Sequence, residues 1–185
     1  WYTGQMANVL DRIDPNTGAA REYRLKTPHS GPHGLMEDRR GHIWYTGNTG
    51  NLVGVVNPQT GDNIEYPMPD PSVKDPHSLL IDQQGMVWFT AQNGNRVGRI
   101  DPTTGQIRLM TPPTANSRPY GVMADSKGVI YYVAFGTNKI GRVDPNTFEI
   151  REYTLPNAAS RPRRLVITPD DTIWYADFSR GFIGH

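Results

Sequence analysis

The sequence predicts an all-β protein, and three observations carry that expectation. One phrase returns along the whole chain: "WYTGQMANVLDRIDPNTG" (1–18), "WYTGNTGNLVGVVNPQTG" (44–61), "WFTAQNGNRVGRIDPTTG" (88–105) and "YYVAFGTNKIGRVDPNTF" (131–148), with a shorter "WYADFSRGFIGH" at 174–185. The apolar runs are short, aromatic and β-branched, and none keeps a helical period over about ten residues. There are 19 Gly and 16 Pro, enough to punctuate every run with turn chemistry. The anchors Trp1, Trp44, Trp88, Tyr131 and Trp174 stand 43, 44, 43 and 43 residues apart, and the extra residue falls in the loop 69–75, where an insertion is tolerated.

Each period predicts four strands. In the second copy the anchor strand is "HIWYT" (42–46), followed by "NLVGVV" (51–56) and "NIEYPM" (63–68); "HSLLID" (77–82) then opens the next unit. The second and third strands are joined by "DPNTG", "NPQTG" or "DPTTG". In such a hairpin Asp or Asn accepts from the turn amides, Pro sets φ, and Gly takes the left-handed position. Phe148 replaces that Gly in the fourth copy, which predicts a strained or reshaped turn. Four strands in 40–45 residues are the dimensions of a β-propeller blade, whereas a β-solenoid has shorter rungs.

The expectation is one β-propeller domain, 1–185, with four-stranded blades of about 43 residues and repeats at 1–43, 44–87, 88–130, 131–173 and 174–185. Strand counting gives about eighteen strands, roughly 4.5 blades, so the chain reads as a portion of a ring of six or seven.

Composition excludes several classes. The chain is 36% apolar and 20% charged, which fits a folded, turn-rich globule. Its net charge of +1, with the signs interspersed, predicts neither nucleic acid nor an anionic membrane as partner. No apolar run approaches the roughly 20 residues of a membrane span. With no cysteine, there is no thiolate or disulfide chemistry.

In an up-and-down blade, alternate connections share an end. The loop entering each innermost strand (26–33, 69–77, 111–120, 155–163) therefore shares a rim with the loop after each anchor strand (47–51, 91–95, 134–138, 177–181). Within that rim the repeat varies: "GPHGLME", "DPHSLLI", "RPYGVMA" and "RPRRLVI" put His33, His77, Tyr120 and Arg163 at equivalent positions lining the channel mouth. Asp75 lies two residues before His77, and Gln92 reaches the same rim. Arg118, Arg161, Arg163 and Arg164 form a local basic excess able to hold an anion, and Asp177 and Phe178 belong to the same edge. Against this stands the plainer reading of structural histidines and solvated rim charge. The aromatic anchors read as blade packing, and His29 and His42 as exposed.

These phrases, with "IEYPMPDP" and "SGPHG", resemble the blade repeat of the virginiamycin B lyase (streptogramin lyase) family from end to end. The resemblance implies a seven-bladed ring and a carbon–oxygen lyase that opens a cyclic depsipeptide at its ester by elimination, assisted by Mg²⁺. It implies a first Pro-His, met by Pro32-His33, and an acid-Pro-His, met by Asp75-Pro76-His77 with Asp for Glu. It also implies a Glu after the next anchor strand, where Gln92 stands, and a Pro-Tyr beyond, met by Pro119-Tyr120. On that pattern His77 is the catalytic base. His33 and Tyr120 position the substrate or protonate the leaving oxygen, and Asp75 with Gln92 holds Mg²⁺ in a site of reduced charge. The family's settings imply an extracytoplasmic bacterial protein. Two alternatives stay open: a non-catalytic propeller binding a small molecule, peptide or protein partner at the mouth, and a metal-dependent lactonase, which would need more acidic ligands than Asp75 and Asp177.

Overall fold

A computed structural model describes residues 1–185, and eighteen strands account for its regular structure. The first sheet is three-stranded: β1 (Tyr2–Gly4), β2 (Val9–Ile13) and β3 (Ala20–Arg24). Three four-stranded sheets follow. They are β4 (Pro32–Glu37), β5 (Ile43–Gly47), β6 (Leu52–Val56) and β7 (Asn63–Pro67); β8 (Pro76–Ile81), β9 (Val87–Ala91), β10 (Arg96–Ile100) and β11 (Ile107–Met110); and β12 (Pro119–Ala124), β13 (Ile130–Ala134), β14 (Lys139–Val143) and β15 (Ile150–Thr154). The last sheet has three strands, β16 (Pro162–Ile167), β17 (Ile173–Asp177) and β18 (Phe182–Gly184). Within each sheet the strands pair antiparallel with their chain neighbours, and β4, β8, β12 and β16 lie side by side along the channel. These are blades of a β-propeller. No helix is long and apolar enough to cross a membrane.

Turn chemistry builds each blade. Asp38 accepts the amides of Arg40 and His42 in the turn before β5, and its second oxygen accepts the Trp44 indole N–H at 3.1 Å. Asp82 repeats this before β9, with Trp88 at 2.7 Å. The anchor tryptophan is thus tied to its turn while its ring packs outwards from the blade. Gly98 faces Phe89 so closely that a Cβ there would lie 2.1 Å from the ring, which fixes Gly at that position.

The turn at Phe148 keeps its shape. The Phe148 amide donates to the Asp144 carbonyl at 2.9 Å, as Gly18 does to Asp14. Phe148 takes the left-handed conformation itself, φ +65°. Packing offsets the strain: Arg99 and Arg108 lie 4.6 and 3.8 Å from its ring centre, and Trp88 stacks beside it.

The core lies between blades. Trp44, Val53 and Val55 of one blade bury against Leu79, Phe89 and Ile100 of the next, and Trp88 and Val97 against Val122, Tyr132 and Val143. Burying each large side chain contributes about 1.5–3 kcal/mol. The adhesion of neighbours is therefore what sets one blade against the next.

Candidate active site at the channel mouth

Each channel-lining strand opens with a bulge. The register slips between Pro32 and Leu35, Pro76 and Leu79, Pro119 and Val122, and Pro162 and Arg164. A bulge re-aims the side chains it carries. Here it carries His33, His77, Tyr120 and Arg163.

A hydroxyl latch fixes the first three of these positions. Thr46 accepts the Gly34 amide at 2.9 Å and donates to the His77 carbonyl at 2.7 Å in the neighbouring blade. Thr90 does the same between the Ser78 amide at 3.2 Å and the Tyr120 carbonyl at 2.6 Å. Thr3 reaches the His33 carbonyl at 3.3 Å. Val133 occupies the equivalent place in the fourth blade, without a hydroxyl.

The latch brings three rings into one column. The His33 and His77 centroids are 3.9 Å apart and those of His77 and Tyr120 are 3.8 Å apart, each pair tilted by less than 50°. His77 is 6% exposed. Burial, then the neighbouring His33, then Arg164 and Arg163 push its pKa down to about 3, so the imidazole is neutral at physiological pH. His33 moves in the same direction, chiefly by burial and then by Arg164, and its Nδ1 has no hydrogen-bond partner. His77 Nδ1 lies 3.3 Å from the Ser78 hydroxyl, which accepts from Arg164 at 2.9 Å. Arg163 donates to the Tyr120 hydroxyl at 3.0 Å. With an oxygen lone pair so occupied, that hydroxyl can direct its proton elsewhere.

Asp75 and Gln92 sit beside this column. The Gln92 amide donates to the Asp75 carbonyl at 2.9 Å. Asp75 is half-buried in a left-handed conformation, φ +63°, and burial pushes its pKa up to about 6, against a smaller opposing pull from Arg118. Arg118 holds the matching position one blade on, φ +50°, and its guanidinium lies 3.4 Å from both the Gln92 and Asn93 side-chain oxygens. Magnesium usually takes one or two carboxylates with waters in near-octahedral geometry. This chain offers one carboxylate and one amide oxygen, and a guanidinium already engages the amide. No three His or acidic side chains gather anywhere in the chain. These donors bring less negative charge to a cation than the carboxylate pair the resemblance implies.

The remaining rim residues separate by role. Asp177 is 5% exposed and accepts the Arg161 amide and the Ser179 hydroxyl, both at 3.0 Å, so it caps a loop rather than facing the mouth. The Arg161 guanidinium is turned onto the Ala158 and Ser160 carbonyls at 3.1 and 2.6 Å. Arg163 faces Tyr120 and Phe178, 5.1 and 4.9 Å from their ring centres. Sequence reasoning missed Ser78 and Phe135. The signal for Ser78 was available, because the place after the mouth residue also varies: Gly34, Ser78, Gly121 and Arg164.

The fold and mouth can be set beside known proteins. Selenomethionine-substituted virginiamycin B lyase from Staphylococcus aureus matches with a TM-score of 0.92 and 30% identity, covering 100% of this chain and 61% of that one. A streptogramin B lyase structure matches at 0.91 and 31%, covering 100% and 60%. A catalytically inactive histidine-to-alanine variant of the S. aureus virginiamycin B lyase, with quinupristin, matches at 0.89 and 29%, covering 100% and 64%. The chain thus spans less than two-thirds of the length of these relatives. No curated protein matches the sequence. The repeat, the blades and the ordered His–His–Tyr column agree with a match over residues 1–185, and the chain belongs to the virginiamycin B lyase family.

Proposed function

We propose that the protein carrying this chain is a carbon–oxygen lyase that opens a cyclic ester by elimination, with His77 as the base. The observation that carries this reading is the column itself: a neutral imidazole packed between a second neutral imidazole and a tyrosine hydroxyl held by Arg163. Elimination needs a base in its unprotonated form, and His77 keeps that form down to about pH 3.

With the Nδ1 proton shared towards Ser78, the Nε2 lone pair of His77 takes a proton from carbon. The C–H electron pair becomes the new C=C bond. The neighbouring C–O bond breaks, and the carboxylate leaves with its electron pair. Tyr120 supplies a proton donor beside the departing oxygen, and His33 walls the site.

A base of such low pKa is weak, so the developing negative charge has to be stabilised. Arg163 and Arg164 are the cations nearest the column, and on this reading they fill the electrostatic part that the resemblance gives to a metal. The inactive histidine variant of the relative supports a histidine-dependent reaction in that enzyme, and its quinupristin complex names the probe to use first.

The full-length protein should convert quinupristin to a ring-opened product of unchanged mass, and His77→Ala should reduce turnover by at least about a hundredfold. Mass spectrometry reads both. A product one water heavier would mean hydrolysis. No product from quinupristin or other cyclic depsipeptides would turn the reading towards a propeller that binds at its mouth without turnover.

A further inference from the structure

The mouth holds positive charge that nothing in the chain neutralises. Two ion pairs exist in the molecule, His42–Asp38 and Lys139–Glu152, and neither involves an arginine. Arg161 and Arg118 are spent on carbonyl and amide oxygens of the rim. Arg163 and Arg164 differ from them. Their guanidinium carbons stand 5.1 and 4.8 Å from the centre of the Tyr120 ring, and each donates to one neutral hydroxyl. A guanidinium has five N–H donors, so most remain unspent.

We infer that Arg163 and Arg164 form a carboxylate-binding site at the channel mouth, with Phe178 as the apolar wall for the body of the ligand. Arginine suits this because its planar fork matches a carboxylate in two-point geometry. The neighbours are arranged for an anion. Neither acidic side chain of the rim pairs with these two arginines: Asp75 lies beside Arg118, and Asp177 accepts the Arg161 amide and the Ser179 hydroxyl. Phe178 is 60% exposed, edge-on to Phe135 at 5.7 Å and 4.9 Å from Arg163. A ligand with an aromatic or apolar group next to its carboxylate would cover that ring while the arginines take the charge. The inference deepens the lyase reading, since an elimination at an ester releases a carboxylate, and it places that product group on these two cations.

The test is calorimetric titration of the full-length protein at low salt with benzoate, and with benzamide as a neutral isostere. Benzoate should bind and weaken by about tenfold or more in Arg163→Gln and in Arg164→Gln, while benzamide binds far less. Arg151→Gln, on an exposed outer strand, should leave benzoate binding unchanged. Should either mouth variant unfold, the wild-type protein still decides: benzoate affinity must fall as salt rises, and the His77 imidazole resonance must titrate at higher pH once the anion is bound. Benzoate binding that is unchanged in the two mouth variants, or equal binding of benzamide, overturns the inference. Carboxylate binding without ester opening would sink the lyase reading and leave this site standing. Ester opening without carboxylate binding would do the reverse.

Discussion

At the scale of single residues, the mouth shows how one field acts oppositely on acids and bases. Burial and the arginines push His77 down to about 3, while burial pushes Asp75 up to about 6. The sign for stability follows. An unfolded histidine titrates near 6.5, so between about pH 6.5 and 3 the unfolded chain binds the extra proton at His77, and stability is lost as pH falls through that window. His33 acts in the same direction. Asp75 acts in the other: between about pH 4 and 6 the folded state holds the extra proton, so its contribution weakens as pH rises. Two histidines against one carboxyl give a net loss towards acid. His77→Phe keeps an aromatic ring in the column and removes the titration, so its urea midpoint should fall less between pH 7 and 4 than that of the wild type. Parallel curves would remove His77 from the account.

Residue identities were legible at this scale only where the repeat aligned them. The four mouth positions follow from the topology, and Gly31 marks the left-handed place that Asp75 and Arg118 also occupy. Which arginine turns inward was not legible. Arg161 and Arg164 read alike in sequence, and they part because Arg161 lies before the bulge and caps its own loop, while Arg164 lies after it and spans to Ser78. Asp177 looked like a rim acid. It serves instead as the loop acceptor where Asn8, Asn51 and Asn95 serve in earlier blades, because Gly181 stands at that place here.

At the scale of elements, strand order and turn type could be read from hydrophobic patterning and Asp-Pro chemistry. The threonine latch could not, because the same Thr in an anchor strand would pass for an ordinary β-former. Thr90 is fully buried, and its hydroxyl serves two backbone groups in two different blades. Thr90→Val keeps the volume, which Val133 shows a blade can accept, and leaves the Ser78 amide and Tyr120 carbonyl without that partner. It should cost about 2 kcal/mol, read as a lowered urea midpoint, and loosen the His77–Tyr120 contact. A midpoint within error of the wild type would show the latch to be replaceable by water.

For the whole molecule, the interblade core sets each sheet against the next by repetition, and the period alone was enough to foresee that series of blades. The basic excess of the mouth was also legible in sequence, but which of its arginines converge on the Tyr120 ring was not, since that is decided where separate blades meet. The resemblance led to an expected Mg²⁺ site of reduced charge at Asp75 and Gln92, and here the Gln92 side-chain oxygen is engaged by Arg118 as well. Turnover by the full-length protein should therefore survive EDTA. Loss of activity with chelator, restored by Mg²⁺, would return the cation's part to a metal.

The latch has one further consequence. It grips only main-chain atoms, the amide that follows a mouth ring in one blade and the carbonyl of the mouth ring in the next, and is indifferent to the side chain that the gripped residue bears. Where the threonine is present, the blade thus offers a standardised socket whose plug can be exchanged while the frame keeps its grip. Histidine, histidine and tyrosine occupy three such sockets, and arginine sits in a fourth that has no threonine beside it. In evolutionary terms the scaffold separates two problems, staying folded and acquiring chemistry. New specificities become reachable one substitution at a time, and a designer could rewrite the mouth by the same route.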